Sequence, residues 1–81
     1  MEIKINLFAA LRDAAGMPEV KVAWKPGMTC NDVLELLKNN FQSMTPLLEH
    51  SLVAVNGSYA GFAKCLGPED EIALLPPVSG G

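Results

Sequence analysis

Only one stretch of this chain carries a helical repeat long enough to cover a sheet, and the longer patterned stretches around it alternate. Val33, Leu34, Leu36, Leu37 and Phe41 recur at helical spacing. Thr29 offers an N-cap hydroxyl, and Asp32 three residues on resembles the acidic member of a capping box. The pattern predicts one long helix over about residues 29–40, with Asn39-Asn40 near its end. Before it, residues 2–8 place Ile3, Ile5 and Leu7 on one face and Glu2, Lys4 and Asn6 on the other, the mark of a half-buried strand. Phe8 ends that run with the parity of the polar set.

Residues 9–15 favour a short helix stopped by Gly16 and Pro18. Val20, Val22 and Trp24 then alternate with Lys21, Ala23 and Lys25 up to a Pro26-Gly27 turn. Residues 42–51 read as irregular or a short helical turn broken by Pro46. Leu52–Val55 form a third strand closed by Asn56-Gly57, a strong hairpin signal. Short strand pieces are expected over Tyr59–Phe62 and Cys65-Leu66, around Gly61. A turn at Gly67-Pro68-Glu69-Asp70 leads to a last strand, Glu71–Leu75, with Ile72 and Leu74 on one face. The expected fold class is therefore α+β: a sheet with one long helix packed across a face.

With 81 residues there is room for a single domain, of modest stability unless a partner helps. Hydrophobic residues at 49% against 19% charged suit a packed core rather than disorder. Six basic residues are scattered through a chain of net charge −3, so no stripe exists to neutralise a phosphate backbone, and nucleic acid is not the expected partner. No apolar run is long enough to span a membrane, and Glu2 and Lys4 interrupt the N-terminus before a signal peptide could form. A cytoplasmic location follows as the expectation, with Cys30 and Cys65 reduced, although their spacing alone leaves a disulfide open. That spacing matches no metal motif, and two cysteines are too few for an iron–sulfur cluster. His50 has no neighbouring Cys or second His, so no metal or catalytic role is expected of it.

After Leu75 the chain reads Pro76-Pro77-Val78-Ser79-Gly80-Gly81. Two prolines lack the amide hydrogens a paired strand needs and stiffen the exit from the fold. Six extended residues reach roughly 20 Å. Glycine has no Cβ, so a Gly-Gly end passes through a narrow channel and leaves its carboxylate unhindered. The division expected is a folded domain over 1–75 and a flexible, extended tail over 76–81, with Gly81 as the reactive group and Gly80 clearing its approach.

Leu75-Pro76-Pro77-Val78-Ser79-Gly80-Gly81 resembles the PPV(S/T)GG end of the MoaD-type small subunits of molybdopterin synthase, within the ThiS/MoaD ubiquitin-like sulfur-carrier family. Ile3–Ala9 with Leu11-Arg12, Val53–Gly57 and Glu69–Ile72 are similar to that family's first strand and helix, middle strand and final turn. The resemblance implies a ubiquitin-like β-grasp, with a mixed four- to five-stranded sheet whose first and last strands are parallel neighbours. It implies that a MoeB-like adenylating enzyme uses Mg-ATP to activate the Gly81 carboxylate, which then becomes a thiocarboxylate. It implies delivery of that sulfur to a cyclic pterin precursor in a MoaE-like large subunit, within a heterotetramer, to build the dithiolene of the molybdenum cofactor. No cofactor would be bound permanently, and the acids and bases of the reaction would lie on the large subunit.

With those two strands adjacent, parity places Phe8, Ala73 and Leu75 on the outer face beside the tail, an apolar patch of the kind that marks interfaces. The resemblance assigns large-subunit contact to Phe8, Tyr59 and Leu75, where Leu75 stands at a position commonly aromatic, and to the tail residues Pro76, Pro77, Val78 and Ser79. Arg12 matches a basic position that docks the partner or the tail; a solvated helix residue is the plain alternative, and Lys64 is equally ambiguous. Trp24, Leu36 and Leu37 are expected in the core, and Cys30 as a buried, inert thiol. A thiazole-pathway sulfur carrier and a ubiquitin-like protein modifier share the tail chemistry and stay open as alternatives.

Overall fold

A computed structural model of the chain describes residues 1–76. The elements follow in the order β1 (Glu2–Leu7), α1 (Ala10–Ala15), β2 (Glu19–Ala23), α2 (Cys30–Asn40), α3 (Thr45–Leu48), β3 (Leu52–Val55), β4 (Ser58–Ala60) and β5 (Ile72–Leu75), with a 3₁₀ turn at Gln42–Met44 before α3. The five strands form one mixed sheet in the order β2-β1-β5-β3-β4. β1 and β5 are parallel, and the other neighbours are antiparallel. A parallel pair needs a long crossover, and everything between β1 and β5, α2 included, supplies it.

Alternation does the sorting. Ile3, Ile5 and Leu7 of β1, Val53 and Val55 of β3, and Ile72 and Leu74 of β5 are all buried, and the residues between them are not. Against this face α2 lays Cys30, Val33, Leu34 and Leu37, one per helical turn or neighbour on the same stripe. Leu37 is fully buried as expected, whereas Leu36 is 37% exposed. It is one position off the stripe, so the core assignment from the Leu36-Leu37 pair holds only for its second member. Trp24 is half-buried: its ring packs on the core while its Nε1–H donates to the Leu66 carbonyl at 2.8 Å.

The local signals explain most boundaries. Thr29 Oγ1 accepts from the Asp32 amide, and the Asp32 carboxylate accepts from the Thr29 amide, so the capping box is complete. Gly16 ends α1 in the left-handed region at φ 75°. Asn56 and Gly57, at φ 52° and 85°, make the two-residue turn between β3 and β4. Pro46, by contrast, does not break a helical turn. It sits in the first turn of α3, where its missing N–H would have had no partner. The strand expected over Tyr59–Phe62 stops at Ala60, and Cys65 makes only an isolated bridge to Thr29. Residues 61–66 serve α2 instead: the Phe62 and Lys64 carbonyls accept the amides of Asn31 and Cys30, two of the donors a helix start leaves free.

Candidate functional site

Two rows cross the outer face of the sheet. The register sets Asn6 beside Ala73, Ala73 beside Ala54, and Ala54 beside Tyr59. Leu75 pairs with Leu52 in the next row toward the chain's exit. Phe8 lies one residue past the last β1–β5 pair, Leu7 with Leu74, which brings it to the level of Leu75. Phe8 is 46% exposed and Tyr59 73% exposed, and Leu75 and Ala73 are half-buried. Large apolar side chains left in water on a sheet whose other face is fully packed make this the molecule's candidate docking surface.

The backbone holds Phe8 at this corner. Ala9 follows it at φ 52°, ψ −125°, a conformation that costs a residue with a Cβ energy. The strand thus turns at once into α1, with the Leu11 amide donating to the Phe8 carbonyl at 3.1 Å. Leu11 plugs the core, and Arg12 beside it is exposed in the last turn of α1 and makes no ion pair among the described residues. Lys64 is exposed on the opposite side of the sheet order, beyond β4, and belongs to the segment that caps α2.

The other end of β5 is tied down by polar contacts. Asn56 donates to Asp70 at 2.9 Å and accepts from the Glu71 amide at 2.9 Å, while Asp70 also accepts the Gly67 amide at 2.7 Å. The Gly67 amide, then the Asn56 side chain, hold the Asp70 carboxyl below the usual carboxylate range, and the charge of Lys64 adds to this. These contacts lock the β3–β4 turn to the entry of β5 and so fix the register in which Leu75 and Pro76 emerge. Burial pushes the Cys30 thiol above its ordinary value, with Lys64 opposing and Asp70 assisting, which keeps it a thiol rather than a nucleophilic thiolate. Cys65 is exposed, and the two cysteines are not bonded to each other. Among the described residues no group of three or more His, Cys, Asp or Glu side chains could hold a metal ion, and no helix is long and apolar enough to cross a membrane.

The structure therefore brings Phe8, Tyr59, Leu75 and Pro76 to one face or its border, and Arg12 to the helix leading away from it. Pro77, Val78, Ser79, Gly80 and Gly81 lie outside the described residues. Leu52 and Ala54, which bridge Leu75 to Tyr59, were not anticipated. The run Leu52–Val55 is apolar throughout, so it carries no parity of its own. The Asn56-Gly57 turn did contain the answer, because a two-residue hairpin pairs Val55 with Ser58 and hence Ala54 with Tyr59. Phe62, 46% exposed past the end of β4, was likewise missed as a surface aromatic.

Comparison with known proteins gives one family and a consistent set of relatives. The ThiS family model matches residues 5–81. The molybdopterin synthase sulfur carrier subunit of Arabidopsis thaliana is 32% identical over the whole chain and 84% of its own length. The small archaeal modifier protein 1 of Haloferax volcanii is 34% identical over 94% of this chain and 97% of that protein. Its crystal structure superposes with a TM-score of 0.85 at 30% identity, covering 100% of both chains. In a complex of subunits 1 and 2 of the molybdopterin-converting factor from Helicobacter pylori, a chain of the same ubiquitin-like β-grasp fold matches with a TM-score of 0.71 at 20% identity, covering 100% of both.

Proposed function

This chain belongs to the ThiS family, and from that premise we propose that it is the sulfur-carrier small subunit of a molybdopterin synthase, working through the α-carboxylate of Gly81. The observation that carries the proposal is the full-length match to sulfur carrier subunits of that synthase, with the family match running through Gly80-Gly81.

The chemistry runs in two exchanges. A carboxylate is a poor electrophile because its leaving group would be oxide. An adenylating enzyme offers Mg-ATP; a Gly81 carboxylate oxygen attacks the α-phosphorus, pyrophosphate leaves, and a mixed anhydride with AMP results. A sulfide-equivalent donor then attacks the acyl carbon, and AMP departs with the oxygen, leaving a thiocarboxylate. Its anionic sulfur is a soft nucleophile. It attacks a carbon of a cyclic pterin precursor held by the large subunit and displaces an oxygen leaving group there; water then cleaves the acyl–sulfur bond, returning Gly81 to a carboxylate and leaving the sulfur on the pterin, with acid and base supplied by the large subunit. The outer face around Phe8, Tyr59 and Leu75 docks the partner, and Pro76–Ser79 span the distance into its site. Heterotetramer assembly with the large subunit belongs to the same proposal.

Intact-mass measurement after incubation with a MoeB-like enzyme, Mg-ATP and a sulfide source tests this. The expected result is a mass gain equal to sulfur minus oxygen, absent in a variant lacking Gly81 whose circular dichroism is unchanged. Retained sulfur transfer in that variant would overturn the proposal. The likeness to a small archaeal modifier protein supports a second reading, conjugation of Gly81 to lysines of other proteins. Covalent species tens of kilodaltons heavier, formed in extract and lost with Gly81, would favour it. Capture of a thiazole synthase instead of a pterin-binding subunit would move the chain to the thiamine branch.

A further inference from the structure

Asn56-Gly57 is the one Asn-Gly pair in the sequence, and its two members are held very differently. Both are exposed at the turn between β3 and β4. The Asn56 side chain is engaged at both ends: Nδ2 donates to Asp70 Oδ1 and Oδ1 accepts from the Glu71 amide, each at 2.9 Å. Its own backbone amide donates to the Glu71 carbonyl at 2.8 Å. The Gly57 amide, by contrast, donates to no group among the described residues, and a Cβ placed on Gly57 would meet nothing within 4 Å.

These are the two halves of one reaction. A backbone nitrogen can attack the side-chain carbonyl carbon of the asparagine before it, and glycine hinders that approach least because it has no Cβ. The bond from the Gly57 nitrogen to Asn56 Cγ forms and the nitrogen gives up its proton. The Cγ–Nδ2 bond breaks, ammonia leaves, and a succinimide ring closes. Water then opens the ring. Attack at Cγ yields aspartate; attack at the main-chain carbonyl carbon yields isoaspartate, in which the chain runs through Cγ. In sum water enters and ammonia leaves, with no oxidant or reductant.

In the folded protein the nucleophile is free and the electrophile is tied. Closing the ring turns the Asn56 carboxamide away from residues 70 and 71, so both 2.9 Å bonds must break. Asp70 is itself anchored by the Gly67 amide at 2.7 Å, so it does not follow the moving side chain. The same contacts hold its carboxyl below the usual range, so at neutral pH it is ionised and has no proton for the departing nitrogen.

We propose that Asn56 is a deamidation site gated by its bonds to residues 70 and 71: it reacts when the tie to the entry of β5 opens, and its products keep that tie from closing again. An aspartate at position 56 sets a second carboxylate where the donating Nδ2 lay, facing Asp70 across 2.9 Å, and two ionised carboxylates at that spacing repel. Isoaspartate adds a main-chain methylene to a two-residue turn. Turn length fixes hairpin register, so the pairing of Val55 with Ser58 and of Ala54 with Tyr59 is lost with it.

The test incubates the folded parent, its Asp70→Ala variant and the urea-unfolded parent in mildly alkaline buffer. Peptide mass spectrometry reads the exchange of amide for acid at Asn56, and an isoaspartyl methyltransferase with a labelled methyl donor counts isoaspartate. The folded parent should stay amidated. Asp70→Ala, with its circular dichroism unchanged, should react about tenfold faster, the factor carried by one hydrogen bond to a charged group, and the unfolded parent fastest of all. Equal rates in the parent and Asp70→Ala, or a folded parent as fast as the unfolded chain, would overturn the gate. Asn56→Asp tests the product. Its melting temperature should fall, and adding Asp70→Asn, which sets a donor against an acceptor again, should recover most of the loss. A double variant no more stable than Asn56→Asp alone would overturn the claim that the product holds the tie open.

Discussion

The two faces of the sheet are made by the same strands and do opposite work. Along β5, Ile72 and Leu74 are fully buried under α2, while Ala73 between them and Leu75 after them are left half-open on the other side. Along β3, Val53 and Val55 are buried while Leu52 is 37% exposed. Inner positions are filled by buried aliphatic side chains; the outer positions near the exit of β5 are apolar and only partly covered by the described residues. The difference teaches that an apolar residue on this sheet is packed or left open according to its parity, not its hydrophobicity.

Substitutions should separate the two faces, beginning with the largest effect. Leu74→Ala, on the inner face, should cost about 2–5 kcal/mol through lost burial and the cavity left behind, seen as a lower urea midpoint. In a domain this small that loss approaches the whole stability. Tyr59→Ala, on the outer face, should leave the midpoint unchanged and weaken binding to the large subunit by about 1–2 kcal/mol, measured by calorimetry. Should Tyr59→Ala unfold the protein, or Leu74→Ala leave it intact, the division by parity fails.

Smaller effects sharpen the contrast between packing and its polar supports. Thr29→Ala removes one half of the capping box and should destabilise by about 1 kcal/mol in the same urea experiment, without touching partner affinity. Asp70 gives a pH signature. Its carboxyl is held low in the fold, so its contribution is present above the unfolded value near pH 4 and is lost as pH falls through the lower folded value. The melting temperature of Asp70→Ala should therefore lie below that of the parent at neutral pH and converge on it in acid. A gap that stays constant down to pH 2 would assign the effect to packing instead.

Much of this was legible from residues alone because the signals were local. Thr29-Asp32, Gly16 and Asn56-Gly57 each act within a few residues, and each ends or begins an element where its chemistry requires. The alternation in β1 gave the buried set Ile3, Ile5 and Leu7 directly. Pro46 misled because a proline opens a helix as readily as it ends one, and only the preceding 3₁₀ turn decides which. Leu36 misled because it lies off the stripe of Val33, Leu34 and Leu37 that faces the sheet, on the exposed side of α2. The pairing of Leu52 with Leu75, and so the continuity of the outer apolar face, rests on contacts between segments far apart in the chain.

By itself, then, the sequence determined the inventory: which segments alternate, which one coils, where each stops, and that the chain leaves its last strand through a proline pair toward Gly80-Gly81. Those are properties of neighbouring residues, set by backbone sterics and local hydrogen bonds. Only the tertiary structure decided the order β2-β1-β5-β3-β4, which puts β5 in the middle, sets Leu75 beside Leu52, and leaves β2 with an open edge over α2. Strand order is chosen by burying all inner faces under one helix at once, a condition on the whole chain that no short window of residues contains.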